Sequence, residues 1–226
     1  LPRFGHTVNA DRRGYLWIFA GYSLSNGALN DIRQFDTKNH TWMQVTVDGS
    51  DSKIPTGRYF HAAEITKQSI FVYGGISNDF KVLNDFWMFN IHEQKWSEVE
   101  VTSKESPGAL AGHTMTIVKV DESERILIKN KNKNITKSPE NSTESDSTEL
   151  PLISHSNHQI VWEFDFEEKS WQKLNTTGSG PALIYGHSTS YHSSSHVIYI
   201  YGGYQFNNGS TQMSNRLYSL RKSING

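Results

Sequence analysis

Three pairs of aromatic residues with the same internal spacing limit what this chain can fold into. In each pair a phenylalanine precedes a tryptophan by seven positions. The pairs are Phe35 with Trp42, Phe89 with Trp96, and Phe164 with Trp171. A spacing that recurs along a chain indicates that one supersecondary unit is used several times, so the other parts of that unit should recur in the same order.

Two further features precede these pairs. An apolar run ending in small residues occurs as YLWIFAG (15–21), SIFVYGG (69–75) and VIYIYGG (197–203), and without the glycines as RILIKN (125–130). Before each run stands a histidine flanked by small or aromatic residues: His6, His61, His113 and His187. The intervals of 55, 52 and 74 residues between these histidines indicate four copies of the unit.

Each copy contains four segments with strand character. The first alternates loosely, the second is continuously apolar, the third has aromatic residues at every second position, and the fourth begins at the tryptophan. Short strands separated by turn residues predict a four-stranded antiparallel meander. A continuously apolar strand is covered on both faces, as in a sheet packed between two others. The sequence therefore predicts an all-β fold whose sheets are the blades of a β-propeller.

The most regular residues of the unit have structural explanations. Glycines follow the second strand because residues without Cβ allow positive φ and close backbone packing. Tryptophans begin the fourth strand, where their large apolar area is expected to extend the contact between blades at the periphery. The glycines are Gly74, Gly75, Gly202 and Gly203, and the tryptophans are Trp42, Trp96 and Trp171.

These residues resemble the kelch repeat, in which an apolar strand ends in a double glycine and is followed by Asn-Asp, an aromatic strand and a tryptophan. The most complete copy has Gly74-Gly75, Asn84-Asp85, Phe89 and Trp96. The first copy has Ala20-Gly21 instead, and the last stops before its outer tryptophan. WD-type propellers match less well, because this repeat is longer and lacks the Trp-Asp dipeptide.

The resemblance implies one partial kelch propeller over residues 1–226. We expect four four-stranded blades at about 1–50, 51–104, 105–176 and 177–226. The last blade is incomplete, and four copies do not close well, so we expect this segment to be part of a larger ring. Residues from about 129 to 158 are polar and poor in aromatic residues, which predicts a disordered insertion in the third blade, with a docking tail as the alternative.

Composition excludes several classes of function. The 22 Lys and Arg residues nearly balance the 23 Asp and Glu residues, which gives no reason to expect nucleic acid as a partner. No run approaches the roughly 18 apolar residues of a membrane-spanning helix, so direct membrane insertion is not expected. The absence of cysteine excludes disulfides, thiolate metal sites and cysteine nucleophiles, but does not decide the compartment.

Residues that resemble an active site have simpler explanations. The four repeat histidines could be a ring of metal ligands, but recurrence at one repeat position favours a shared packing or hydrogen-bonding role. Asp31 and Asp85 could be paired carboxylates, but each lies at the same point of its own repeat, where it is expected to cap a turn. Enzymatic kelch propellers of the galactose oxidase class need a Tyr-Cys crosslink. We therefore predict no enzyme, no catalytic residues, no metal and no cofactor.

Five Asn-x-Ser/Thr sequons fall in predicted connections between strands: Asn39, Asn134, Asn141, Asn175 and Asn208. In a meander the second-to-third and fourth-to-first connections emerge on one face of the ring, and the other connections on the opposite face. Asn39 belongs to the opposite face and the other four to the first. Such placement suits glycans, so we expect an extracellular or cell-surface protein, with a cytoplasmic one as the alternative.

The Arg-Phe-Gly-His opening, the sequons and the long repeat resemble the attractin and multiple-EGF-domain class of cell-surface proteins. That resemblance implies a non-catalytic protein-binding module in a secreted or single-pass membrane protein involved in adhesion or receptor signalling. The alternative is an intracellular kelch adaptor for ubiquitin ligation or cytoskeletal binding. Arg3, Arg58 and Tyr185 precede the first strands of their blades and are predicted partner contacts.

Overall fold

The structure is a computed structural model that describes residues 1–47, 53–120, 123–130, 160–181, 184–207 and 210–221. All regular secondary structure in these ranges is β-strand, as the repeat pattern predicts. Over the same ranges, no helix has the length and apolar character needed to cross a membrane.

The described strands follow the chain in antiparallel hairpins. In order they are β1 Thr7–Ala10, β2 Tyr15–Ser23, β3 Gly27–Asp36, β4 Thr41–Gln44, β5 Arg58–Tyr59, β6 Ala62–Ile65, β7 Ser69–Ser77, β8 Val82–Asn90, β9 Lys95–Glu98, β10 Thr114–Val120, β11 Ser123–Asn130, β12 Ile160–Asp165, β13 Ser170–Leu174, β14 Ile184–Tyr185, β15 Ser188–His192, β16 Val197–Tyr201, β17 Tyr204–Asn207, β18 Ser210–Met213 and β19 Leu217–Arg221.

Four blades can be followed from the strand pairing. Blade 1 has the order β1-β2-β3-β4 and blade 3 the order β10-β11-β12-β13. In blade 2, β5 and β6 both pair with β7, which continues to β8 and β9. Blade 4 has the order β15-β16-β19, and a smaller sheet, β14-β17-β18, extends it. The chain leaves blade 4 for this smaller sheet at Gly202 and Gly203, which both have positive φ.

The second strand of each blade is covered on both faces. In β7 eight of nine residues are buried, which matches the continuous apolar run SIFVYGGIS. Because alternate side chains point to opposite faces, Ile70 and Val72 pack towards blade 1 while Phe71 and Tyr73 pack towards blade 3. The prediction of a sheet placed between two other sheets is therefore confirmed for blade 2.

Each pair of neighbouring blades shares one apolar core. Trp17, Phe19 and Ile32 of blade 1 pack against blade 2, whose Phe71, Tyr73 and Phe86 in turn pack against blade 3. A smaller cluster joins blades 3 and 4, with Val118, Ile184, Ile198 and Ile200 buried. The innermost strands β1, β6, β10 and β15 contact one another in succession, so the blades are arranged around a common centre.

The outer tryptophans differ in whether described residues of a neighbouring blade cover them. The ring of Trp96 lies 4.8 Å from that of Phe19 in blade 1, and the ring of Trp171 lies 5.5 Å from that of Phe86 in blade 2. Trp42 is instead 63% exposed, because no described residue covers that face of blade 1. The expected contact between blades therefore forms for two of the three tryptophans.

The second glycine of each pair leaves room for the innermost strand of its own blade. A Cβ on Gly75 would lie 2.9 Å from the Cβ of His61 and 3.0 Å from the carbonyl oxygen of Tyr59. Gly21 and Gly203 have the same close contacts to His6 and His187. The residue at this position must therefore lack a Cβ so that the repeat histidine can pack against its backbone.

Some expectations fall outside the described residues. The predicted insertion between β11 and β12 lies almost entirely there, as do Asn134, Asn141 and Asn208. The approximate blade boundaries also stay predictions, because strand pairing fixes the sheets and not the ends of the connections between them.

Candidate functional site

The two faces of the propeller differ in their connections. We call the upper face the one where the second-to-third and fourth-to-first connections emerge, and the lower face the opposite one. The repeat histidines stand at the upper ends of the innermost strands. The upper centre is therefore the region where predicted site residues of all four blades meet.

Hydroxyl groups of one blade bind the histidine of the next. Oγ1 of Thr7 and Nε2 of His61 are 2.9 Å apart, and Oγ1 of Thr114 and Nε2 of His187 are also 2.9 Å apart. Each threonine directly follows the histidine of its own blade. These contacts account for two of the four histidines as bridges between blades.

His113 lacks such a bond because Ala62 occupies the position of the hydroxyl residue in blade 2. Both ring nitrogens of His113 are buried without a hydrogen-bond partner. Burial, reinforced by the nearby His187, lowers the pKa of His113 to about 3. Burial also lowers the pKa of His187 to about 4 and, together with Arg58, lowers that of His61 well below its usual value. These rings are neutral at physiological pH.

Backbone hydrogen bonds run across the upper centre from blade to blade. The residues directly before the histidines form this ladder: the amide of Phe60 donates to the carbonyl of Gly5, that of Gly112 to Phe60, and that of Gly186 to Gly112, each at 2.8 Å. All four residues have positive φ, which is ordinary for glycine but strained for Phe60 at 54°.

Arg58 and Arg3 are structural residues, which corrects the expectation that they contact a partner. The side chain of Arg58 is fully buried, and its guanidinium donates two 2.7 Å hydrogen bonds to Asp85 and one to the carbonyl of Gly74. Arg3 binds Asp31 and the carbonyl of Ala20 in the same way. Nε of Arg58 also donates to the carbonyl of Thr56 at 3.0 Å, so four acceptor atoms hold Arg58 and three hold Arg3. A guanidinium held inside a blade in this way is not available to another protein.

The same geometry corrects the expectation that Asp31 and Asp85 cap turns. Both lie within strands, in β3 and β8. Burial alone would raise the pKa of Asp85, but hydrogen bonds from Arg58 and Trp87 outweigh it and hold that pKa below its usual value. Both carboxylates therefore serve as counter-ions for arginines.

Exposed aromatic side chains surround the ladder. Phe4 and Phe60 are about half-exposed, with ring centroids 6.0 Å apart, and both pack on the more buried Tyr59. On blade 4, Tyr185 stacks on Tyr204 at 5.3 Å with the ring planes 19° apart. We call Phe4, Phe60, Tyr185 and Tyr204 the aromatic patch.

Sequence reasoning predicted only one member of this patch, Tyr185, and the structure leaves it partly exposed. Phe4, Phe60 and Tyr204 were missed. A signal was present for Phe60, which directly precedes a repeat histidine where the other copies have glycine. Exposure at such a position depends on the backbone turning there, which the pattern alone does not reveal.

Lys129 stands at a repeat position where blades 1 and 2 have an aromatic residue. Its position corresponds to Phe19 and Tyr73, whose rings lie edge-on to the next histidine, at 5.2 Å from His61 and 5.8 Å from His113. Lys129 is buried and its ammonium has no hydrogen-bond partner. Burial lowers the pKa of Lys129 to about 8.

The lower face has a funnel of about 660 Å³ at the ends of the innermost strands. Its wall carries charges of both signs, and Arg13 is paired with Asp11 at 2.8 Å. In the part of the chain that the structure describes, no group of three or more His, Cys, Asp or Glu residues is arranged to hold a metal ion.

Two of the five sequons lie in described segments. Asn39 is exposed in the turn between β3 and β4 on the lower face, where its side-chain amide donates to Asp36 at 2.8 Å. Asn175 is exposed after β13 on the upper-face side. Both positions are accessible, and whether they carry glycans stays a prediction.

The chain forms a kelch-type β-propeller segment. Its antiparallel blades share apolar cores, glycines recur after the second strands, and the backbone ladder runs beside the repeat histidines. The chain belongs to the Attractin/LZTR1 beta-propeller family, whose model matches residues 16–138. Propellers of this family are typical of protein–protein interaction.

Known proteins share this segment. The chain is 27% identical over 224 residues to Multiple epidermal growth factor-like domains protein 8 of Mus musculus, covering 97% of this chain and 7% of that protein. It is 26% identical over 162 residues to Tip elongation aberrant protein 1 of Schizosaccharomyces pombe, covering 66% and 11%. It is 30% identical over 88 residues to Leucine-zipper-like transcriptional regulator 1 homolog of Drosophila melanogaster, covering 38% and 9%. The chain thus spans a small part of each of these relatives.

Proposed function

We propose that this chain is a non-catalytic protein-binding module that holds its partner on the upper face, at the aromatic patch. The observation that carries this proposal is Phe60, whose side chain is 44% exposed although its backbone is in the left-handed region. That conformation costs a bulky residue about 1–2 kcal/mol. Three glycines occupy the equivalent positions without this cost, and the exposed ring that Phe60 has instead supports a role in recognition.

The composition of the patch suits a protein partner. Aromatic side chains are enriched at the centres of protein interfaces, where they provide large contact area at low cost in conformational entropy. Because Phe4, Phe60 and Tyr185 come from three different parts of the chain, the patch is held by rigid blades rather than by one loop. A partner would therefore meet a preorganised surface.

We further propose that the protein is secreted or a single-pass membrane protein, with the propeller in an ectodomain that takes part in adhesion or receptor signalling. Two accessible sequons and a relative named for epidermal growth factor-like domains support this setting, because such domains are disulfide-dense secreted modules. The alternative is an intracellular kelch adaptor, for ubiquitin ligation or cytoskeletal binding. The relative named as a transcriptional regulator homolog favours that alternative.

Binding at the upper face is tested by capture experiments with matched variants. The double variant Phe4→Ser, Phe60→Ser should capture at least tenfold less of each bound protein than the wild-type chain does. Quantitative mass spectrometry measures the captured amounts. The control is Arg12→Ser, Lys67→Ser, which changes two exposed lower-face turns and should leave capture unchanged. Loss with the control but not with the patch variant would refute the upper-face assignment.

The setting is tested by intact mass of the chain secreted from a eukaryotic host, before and after enzymatic removal of N-glycans. Asn39→Gln and Asn175→Gln should each remove the mass of one glycan. Efficient secretion with every sequon bare would contradict the ectodomain proposal and favour the intracellular adaptor.

A further inference from the structure

Lys129 and His187 meet at the interface between blades 3 and 4. Lys129 in β11 lies directly opposite Thr114 of β10, and directly opposite residues of an antiparallel pair share one face of the sheet. Oγ1 of Thr114 lies 2.9 Å from Nε2 of His187, so this face is the one towards blade 4. Burial, and after it the positive charge of Lys129, lowers the pKa of His187. The lysine side chain therefore approaches the histidine of the next blade.

The other two interfaces between blades have an aromatic ring at this position. The ring of Phe19 lies edge-on to His61 at 5.2 Å, and the ring of Tyr73 lies edge-on to His113 at 5.8 Å. Each of these rings is a neutral and largely apolar cover for the histidine of the following blade. In blade 3 the cationic side chain of Lys129 takes the place of that ring.

Two polar atoms at this interface have no hydrogen-bond partner among the described residues. They are Nζ of Lys129 and Nδ1 of His187, in side chains of residues that are 7% and 6% exposed. When the hydroxyl of Thr114 donates to Nε2, the neutral ring of His187 carries its proton on Nδ1. A lysine ammonium has donors and no acceptor. Both unpartnered atoms are then donors, and a single acceptor between them satisfies both.

The acceptor also has to balance a charge. Burial lowers the pKa of Lys129 to about 8, so most of the ammonium keeps its proton near pH 7. A buried charge without a counter-charge is strongly destabilising, and among the described residues no carboxylate pairs with Lys129. A water molecule accepts hydrogen bonds but does not neutralise the ammonium. Because both donor atoms are buried, the acceptor has to be small enough to lie between the blades without separating them.

We propose that a small inorganic anion of the size of chloride binds between blades 3 and 4, where Nζ of Lys129 and Nδ1 of His187 both donate to it. One such ion satisfies both donors through charge-assisted hydrogen bonds and neutralises the ammonium. It also connects the two blades that share the smallest of the three apolar clusters among the described residues. The site contains no residue of the aromatic patch, so its failure would leave the proposed function untouched.

Urea denaturation at constant ionic strength tests the site. Stepwise replacement of sodium gluconate by sodium chloride supplies the small anion while the screening of exposed charges stays the same. The urea concentration at the midpoint of unfolding should rise with chloride, and linearly with its logarithm once the site is occupied, because chloride binds the folded state. A midpoint that does not change with chloride would overturn the proposal.

Lys129→Met separates a specific site from a general salt effect, because it keeps a long unbranched apolar side chain and removes the charge. Its midpoint should not depend on chloride. Without chloride it should equal or exceed the wild-type midpoint, since no unpaired charge is then buried. The matched control is Lys173→Met, which removes an exposed cation from β13 of the same blade and should keep the wild-type dependence. Equal chloride dependence in the wild type and Lys129→Met would refute the site.

The effect of chloride should also depend on the protonation of Lys129. Its cross-strand neighbours Thr114 and Val161 do not titrate, and His187, which faces it from blade 4, stays neutral above pH 7 because its pKa is lowered to about 4. Since the pKa of Lys129 is about 8, the chloride concentration at which the midpoint begins to rise should be about tenfold higher at pH 9 than at pH 7. Equal values at the two pH values would contradict the proposal.

Crystals of the wild-type chain grown in sodium bromide give a direct readout that does not depend on any variant. Bromide has the charge of chloride and a similar size, and its anomalous scattering identifies its position. We expect an anomalous peak between Nζ of Lys129 and Nδ1 of His187. An interface between blades 3 and 4 that is well ordered but has no peak there would overturn the proposal.

Discussion

At the scale of single residues, the hydroxyl–histidine bridges between blades give a direct prediction. Ala62→Ser should place a hydroxyl beside the unpartnered ring of His113, as Thr7 does for His61. A hydrogen bond to a buried, otherwise unsatisfied nitrogen is worth about 0.5–1.5 kcal/mol. We expect Ala62→Ser to raise the free energy of unfolding by that amount, measured by urea denaturation.

The reverse substitution is the control. Thr7→Ala removes the hydroxyl from a bridge that exists and should lower the free energy of unfolding by about 1–3 kcal/mol, because Nε2 of His61 is then buried without a partner. If Ala62→Ser were neutral while Thr7→Ala was costly, the two positions would not be equivalent and the repeat rule for this bridge would be wrong.

The sequence alone predicted some of these residues well and others poorly. Recurrence directed attention to the histidines, two of which the structure places in hydrogen bonds between blades. It could not identify Arg58 and Asp85 as an ion pair, because the partners are 27 residues apart and are brought together only by the pairing of β7 with both β5 and β8. Recurrence indicates that a position is important to the repeat. Only the burial of the side chain shows whether that position faces a partner or the core.

At the scale of elements, the close approach of the second strand to the residues that begin the innermost strand depends on the second glycine of the pair. Gly75→Ala places a Cβ 2.9 Å from that of His61 at φ +104°, and we expect it to lower the free energy of unfolding by about 2–4 kcal/mol. Gly108→Ala has a similar φ of +76° but open space, so it isolates the backbone penalty of about 1–2 kcal/mol. Thermal denaturation of both variants separates the two contributions. Equal losses would show that the close approach is unimportant.

Strand positions followed from periodicity because alternating burial leaves a strong pattern in a short segment. The break between β5 and β6 and the separate β14-β17-β18 sheet did not follow from it. Both arise at residues with positive φ, and Phe60 gives no local sign of that conformation. The candidate site was therefore less predictable than the fold, since the patch depends on these irregular turns.

At the scale of the whole molecule, neutral histidines buried between blades predict sensitivity to acid. The pKa of His113 is lowered to about 3 and that of His187 to about 4, so below about pH 6.5 the unfolded chain binds protons that the folded chain does not. The contribution of these histidines to the free energy of unfolding should be fully present above that pH. It should fall towards pH 4 by up to about 1.4 kcal/mol per pH unit for each histidine.

Urea denaturation between pH 7.5 and 4.5 measures this slope. His113→Phe removes one of the titrating groups and should flatten it. An unchanged slope would mean that His113 does not contribute. Asp31 and Asp85, whose pKa values lie below the usual range, lose their contribution only at still lower pH.

The apolar clusters between the described blades are unequal in size, which bears on the proposed binding of a partner. Each described blade packs on its sequence neighbours. Among the described residues, the cluster joining blades 3 and 4 buries four side chains, where each of the other two clusters buries eleven. Local opening should therefore begin at blade 4, carrying Tyr185 away while Phe4 and Phe60 stay in place. A partner that contacts Tyr185 as well as Phe4 and Phe60 would hold blade 4 against the rest of the propeller. Its binding free energy would then add to the free energy of unfolding of the propeller.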